Sequence, residues 1–279
     1  MRVAVEDSAG DEDMSNWLSR IVVAAILLPI VLVAAWAGGW YLFALIALAC
    51  VISLHEYWLM ARGLSPLAPA GYVGAVLALL GAQLSGVGWM LGGALTTFVL
   101  AFMLKAISEA RAGATAAVSS TVMGTMWIGV GLSCVLLLRH LPEHGVLAVY
   151  TVLFAVWAGD TFAYFAGRLF GRHKMAPSTS PGKTWEGFLF GTAATVGVTF
   201  LILYQDKNDF LSIAQSIVLG AILAVVGPLG DLFESLLKRD AGVKDSGSLL
   251  GGHGGMLDRL DAFFFAMPAA YFAILAFTS

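Results

Sequence analysis

The stretch SIAQSIVLGAILAVVGPLGDLFESLLKRD, residues 212–240, decides the fold. Up to Gly230 it is an almost unbroken apolar run, and a run of about 20 such residues crosses a hydrocarbon core of roughly 30 Å. The run then carries Asp231, Glu234, Ser235 and Lys238 at the i, i+3, i+4, i+7 spacing that puts all four on one helix face. A charged stripe is ordinary on a solvated helix. On a helix that continues an apolar span, it brings two carboxylates, a hydroxyl and an ammonium to the membrane boundary, where ionisable groups are costly and mark function. Asp231 lies deepest and needs a cation.

The rest of the chain is of the same character. Hydrophobic residues make up 59% of the 279 residues and charged residues only 12%, with a mean hydropathy of +0.86. Soluble domains carry about 45–50% apolar and about 25% charged residues. Nine candidate spans fall at about 18–37, 40–60, 70–86, 88–104, 116–138, 146–166, 187–204, 212–234 and 261–278. The expected fold is therefore an all-α integral membrane protein of about nine transmembrane helices. Residues 1–16, with Glu6, Asp7, Asp11, Glu12 and Asp13, read as a disordered acidic cytoplasmic tail. Residues 17–279 read as one polytopic domain, with N-terminal helices over 17–140 and catalytic helices and loops over 146–279.

Alternate loops sort the basic residues. All of the 15 lysines and arginines except Arg139 and Lys207 fall on one side, which the positive-inside rule assigns to the cytoplasm. The N-terminus and the two longest polar loops, near 167–186 and 235–260, are then cytoplasmic, and the C-terminus lies outside. Cys50 and Cys134 have no metal-ligand spacing and read as buried thiols. A net charge of −3 indicates no charged partner, and no nucleic acid is expected.

Few charges lie at membrane depth: His55 and Glu56 in the second span, Asp160 in the sixth, Asp231 and Glu234 in the eighth, and Asp258 and Asp261 entering the ninth. Glu56 fits either a pairing with a neighbouring helix or a place in the cavity wall. The loop after Lys238 and Arg239 is dense in glycine, which lets backbone N–H groups approach an anion. Lys244 and Arg259 flank it with Lys238 and Arg239, and Asp231 and Asp258 close it. Oxygen donors and phosphates suit Mg²⁺, whereas the lone His253 is a poor basis for zinc. This reads as metal-assisted phosphoryl or nucleotidyl transfer, with an ion pathway as the competing reading. Gly182-Lys183-Thr184 imitates the end of a P-loop, but position 177 is proline where that motif has glycine. Its side chains remain candidates for phosphate binding.

Ser235-Leu-Leu-Lys238-Arg239, Lys244-Asp245-Ser246-Gly247 and Leu250-Gly-Gly-His253-Gly254-Gly255-Met-Leu-Asp258-Arg259-Leu-Asp261 resemble the C-terminal signature of phosphatidate cytidylyltransferases. Ser180-Pro-Gly182-Lys183-Thr184-Trp185-Glu186-Gly187 resembles an earlier loop of that family, with Asp160 preceding it. The resemblance spans roughly 157–265; Gly251 departs from it, standing where the family usually has proline. It implies transfer of CMP from CTP to phosphatidic acid, with Mg²⁺ held by residues matching Asp231 and Asp258 and a second cation such as K⁺ beside it. The catalytic set is then Asp231, Asp258, Lys238, Arg239, Lys244 and Arg259. The substrate-binding set is Ser180, Lys183, Thr184, Ser235, Asp245, His253, Gly254, Gly255, Asp160 and Asp261. The expected setting is the bilayer of the cell (inner) membrane, with small-residue helix faces compatible with a homodimer. An isoprenoid lipid as substrate, for a cytidylyltransferase or a CTP-dependent kinase, and an ion-coupled transporter remain as alternatives.

Overall fold

A computed structural model describes residues 25–108, 112–206, 209–247 and 254–278. The acidic tail 1–16, the beginning of the first predicted span and His253 lie outside the described residues. Ten α-helices follow in order: α1 (Ala25–Ala37), α2 (Gly39–Met60), α3 (Ala68–Ser85), α4 (Val87–Ile107), α5 (Ala114–Gly124), α6 (Gly131–Arg139), α7 (Gly145–Phe170), α8 (Trp185–Gln205), α9 (Ile213–Asp240) and α10 (Leu257–Thr278). A π-helical turn over Thr125–Val130 joins α5 to α6, so these make one continuous run. Among the described residues, eight helical runs are long and apolar enough to cross a membrane. The shorter α1 occupies the place of the first predicted span.

The sequence expectation of a multi-pass helical protein holds, and the helices reach further than the apolar runs suggested. α7 continues to Phe170 and α9 to Asp240, while α10 begins at Leu257 rather than near Asp261. A helix does not stop where its residues become polar. It stops where capping and turn chemistry end it. α9 starts at a capping box between Ser212 and Gln215, and α8 at Thr184, whose hydroxyl accepts the Gly187 N–H at 3.1 Å.

The loop read at 167–186 contains a small antiparallel hairpin of β1 (Lys174–Ala176) and β2 (Ser180–Thr184). Glu186 on α8 clasps it from below, accepting the N–H groups of Arg172 and His173 and pairing with the His173 ring at 2.6 Å.

Small residues set the helix spacing. α7 and α8 meet where a Cβ at Gly187 would lie 2.7 Å from the Ala163 carbonyl oxygen, and one at Gly191 would lie 2.9 Å from the Ala163 Cβ. α9 and α10 meet as closely at Gly230, where an added Cβ would lie 2.5 Å from the Asp261 carbonyl oxygen. The two halves of the chain lock through Trp127 on the π-turn. Its ring lies 5.0 Å from Phe233 of α9, 5.3 Å from Phe264 of α10 and 6.1 Å from Tyr57 of α2, each edge to face. Cys50 and Cys134 are free and buried in this core. Large apolar side chains such as Trp89, Leu95, Phe98 and Ile107 cover the outside, as a lipid-facing surface requires.

Candidate active site

α9 and α10, held together at Gly230, bring their charged ends side by side, and the β-hairpin folds over them from α7 and α8. Between these elements lies a cavity of about 750 Å³. Five carboxylates line it, from Asp160, Asp231, Glu234, Asp258 and Asp261, with four cationic side chains, Arg168, Lys174, Lys183 and Lys238. Ser180, Gly182 and Thr184 complete the hairpin wall.

Lys238 is the central cation. Its Nζ lies 2.7 Å from Asp258 Oδ1 and 2.9 Å from Glu234 Oε2. The Glu234 side chain is 1% exposed, and its Oε1 is buried without a hydrogen-bond partner among the described residues. Asp258 is held from several directions, its Oδ2 accepting the Ser246 N–H at 3.1 Å, the Ser246 hydroxyl at 2.8 Å and the Gly255 N–H at 2.8 Å. Asp231 sits one helical turn from Ser235, which donates to Oδ1 at 3.3 Å, and its Oδ2 meets Lys183 Nζ at 2.8 Å. Lys183 also donates to the Pro228 carbonyl at 3.2 Å. Asp261 is turned back onto its own helix, accepting the Ala262 N–H.

The residues named from sequence therefore divide. Asp160, Ser180, Lys183, Thr184, Asp231, Lys238, Asp258 and Asp261 share one cavity wall. Ser235, Gly254 and Gly255 stand behind it: Ser235 and Gly255 hold the aspartates, and Gly254 turns the chain with φ +79° against Asp258 Oδ2. Arg239 points to the hairpin and donates to the Thr179 carbonyl at 3.3 Å, while Lys244 and Asp245 are exposed beyond the rim. Arg259 faces a second, apolar groove of about 560 Å³, walled by residues such as Leu45, Ala49, Leu132 and Phe263. Asp160 lines both spaces. Glu234 and Ser246 stand outside the catalytic and substrate-binding sets that the resemblance implies. Glu234 carries a readable signal in its position on the Asp231 face, whereas nothing in its own residue type singles out Ser246.

Hard oxygen donors of this kind fit Mg²⁺. No three His, Cys, Asp or Glu side chains among the described residues converge on one metal position. Mg²⁺ does not require that, because it is commonly held by one or two carboxylates, waters and the phosphates of its substrate. Lysine ammonium groups neutralise Asp231 and Asp258, the two carboxylates that would hold the ion.

A pocket of paired lysines and carboxylates, sunk among membrane-spanning helices and sharing Asp160 with an apolar groove, fits a membrane-embedded enzyme of phosphate chemistry. Comparison with known proteins gives the same class: the model of the Cytidylyltransferase family matches residues 18–277, and the chain belongs to that family. It is 34% identical to a phosphatidate cytidylyltransferase of Synechocystis sp., over 92% of this chain and 96% of that protein. It is 36% identical to one of Pseudomonas aeruginosa, over 89% and 93% respectively, and 37% identical to one of Bacillus subtilis over 56% and 58%.

Proposed function

We propose that this protein transfers CMP from CTP to phosphatidate, releasing pyrophosphate and forming CDP-diacylglycerol. The observation that carries the lipid half of this reading is the meeting of two unlike spaces at Asp160, one lined by charge and one by hydrocarbon. A nucleotide suits the first, and an acyl chain entering sideways from the bilayer suits the second. A lipid phosphate oxygen attacks the α-phosphorus of CTP in line. The new bond joins that oxygen to the α-phosphorus, the bond from the α-phosphorus to the β-bridging oxygen breaks, and pyrophosphate leaves. No covalent intermediate on the protein is required.

A triphosphate brings negative charge to a pocket wall that already holds five acidic side chains beside its four cationic ones. Asp231 and Asp258 would hold Mg²⁺, with a second cation such as K⁺ beside it; the bound metal supplies neutralisation of charge on the α-phosphate and the leaving pyrophosphate. With the aspartates neutralised in that way, Lys183 and Lys238 would be available to phosphate oxygens. Arg168 and Lys174 face the same space, and Ser180 offers a hydroxyl. Arg239 and Lys244 act from the rim, and Arg259 meets the lipid phosphate from the groove side. The setting is the cell (inner) membrane, with the pocket and N-terminus cytoplasmic and the C-terminus outside, as the one-sided distribution of lysine and arginine supports. Assembly as a homodimer rests on small-residue helix faces alone.

The test is transfer of radiolabel from α-labelled CTP into lipid by the purified protein with phosphatidic acid and Mg²⁺, in parallel with the Asp258→Asn variant. Labelled lipid from the wild type and none from the folded variant supports the reading. No labelled lipid from the wild type with phosphatidic acid overturns it, and label on an isoprenoid phosphate alone assigns a different lipid.

A further inference from the structure

Glu56 lies on α2, about 200 residues from the site in sequence, yet it is only 4% exposed and faces the start of α10. Its Oε1 accepts the Met256 N–H at 3.0 Å, and its Oε2 accepts the Leu257 N–H at 2.8 Å. These are donors that a helix start leaves without an intrahelical acceptor, and an anion there also meets the positive end of the helix dipole. A residue just before the helix normally fills this role. Here the cap crosses over from another helix.

The same carboxylate is one step from the reaction pocket. Ser246 stands between two acids, its hydroxyl 3.4 Å from Glu56 Oε2 and 2.8 Å from Asp258 Oδ2. The backbone is drawn tightly around Glu56: a Cβ at Gly247 would lie 2.6 Å from Oε1, and one at Gly255 would lie 2.5 Å from Oε2. Two glycines of this run therefore allow the backbone to approach a buried side chain closely. Glu56 itself does not line the cavity.

We propose that Glu56 is a positioning residue for the transfer reaction: by clamping the Met256 and Leu257 amides, it fixes the register in which α10 presents Asp258 to the pocket. This rests on the reading of Asp258 as a working residue of the site. The role requires two acceptor oxygens. Glutamine supplies one, and its amide nitrogen would set donor against donor. Aspartate keeps both oxygens and the charge but falls one methylene short.

The experiment uses the purified full chain in lipid–detergent micelles, as wild type, Glu56→Gln and Glu56→Asp. Amide hydrogen exchange over 254–260 is followed by mass spectrometry, alongside the Mg²⁺ concentration for half-maximal transfer and the KM for phosphatidic acid. Glu56→Gln is expected to speed exchange in that segment by about tenfold. It should also raise the Mg²⁺ half-saturation several-fold while leaving the phosphatidate KM unchanged, with Glu56→Asp lying between it and wild type. Unchanged exchange overturns the clamp. Faster exchange with unmoved Mg²⁺ half-saturation and a lower kcat alone overturns the positioning role, because a merely structural clasp changes how much enzyme is active and not how it binds. Should Glu56→Gln fail to fold, Glu56→Asp carries the same comparison. If the wild type transfers nothing, the transfer reading falls, and the exchange data still decide whether Glu56 clamps α10.

Discussion

Lys183 Nζ lies 2.8 Å from Asp231 Oδ2, tying the β-hairpin to α9 across the mouth of the pocket. The Lys183 side chain is 19% exposed and that of Asp231 40%, so the contact is neither a free surface pair nor a sealed one. Such a pair contributes little to stability when solvent reaches it. Its value lies in holding a phosphate-binding cation where charge develops. Lys183→Ala is expected to lower kcat/KM for CMP transfer by about 10²-fold, with little change in melting temperature. Steady-state kinetics with a thermal unfolding scan check both parts. A variant of wild-type rate would remove Lys183 from the site.

Asp258→Asn keeps the shape of the side chain and removes its charge. Lys238 then faces a single acid, Glu234, and the backbone donors of Ser246 and Gly255 meet an amide that accepts through one oxygen only. Transfer should fall by about 10³-fold or more. Raising Mg²⁺ should not restore it, and this is read from rates measured across a Mg²⁺ titration.

Glu234 has a different consequence. Its side chain is 1% exposed and bonded to Lys238, and deleting it leaves Lys238 with Asp258 alone. Glu234→Ala should cost about 1–3 kcal/mol of stability, because Lys238 loses one of its two carboxylate acceptors inside the protein. The removal is expected to appear first in the unfolding transition of the purified protein, ahead of any kinetic comparison. An unfolding midpoint equal to wild type would show that Asp258 alone satisfies Lys238.

Much of this site is legible in the sequence because its chemistry is local in the chain. Asp231, Glu234, Ser235 and Lys238 share one helix face, and a helix repeat is sufficient to see that. The spans are legible because lipid leaves helices as the economical structure for an apolar run. What could not be read is set by contacts distant in sequence. The pairing of Lys183 with Asp231 and the reach of Glu56 to Met256 join residues 48 and 200 positions apart. Neither has a periodic signature. The hairpin at 174–184 reads as loop in the sequence because its strands are only three and five residues long, with Pro177 between them and Pro181 inside the second. The helices α7, α9 and α10 extend several residues beyond their apolar runs because hydropathy marks lipid contact and not hydrogen bonding.

The close approach of α9 and α10 makes Gly230 a sensitive position. A Cβ there would lie 2.5 Å from the Asp261 carbonyl oxygen and 3.0 Å from the Ala262 Cα, both on backbone that cannot turn aside. Gly230→Ala is expected to force the helices apart at a cost of about 1–3 kcal/mol. Because Asp231 and Asp258 lie on either side of this contact, transfer should fall even in protein that inserts into membranes at the normal level. Membrane-fraction abundance and specific activity, measured on the same preparation, separate the two effects.

The apolar groove makes the lipid part of the proposed function separable from the nucleotide part. Leu45 on α2 lines that groove and is absent from the charged cavity, and its side chain is only partly buried, so a larger residue there projects into the groove with little disturbance of the core. Leu45→Trp should raise the KM for phosphatidic acid by about tenfold, equivalent to ~1.4 kcal/mol, and leave the KM for CTP unchanged. A short-chain phosphatidate, which has less hydrocarbon to place, should be affected less than a long-chain one. Equal changes in both KM values would mean that the substitution disturbs the fold and that the groove does not hold the acyl chain. No change in either would place the lipid elsewhere on the bundle.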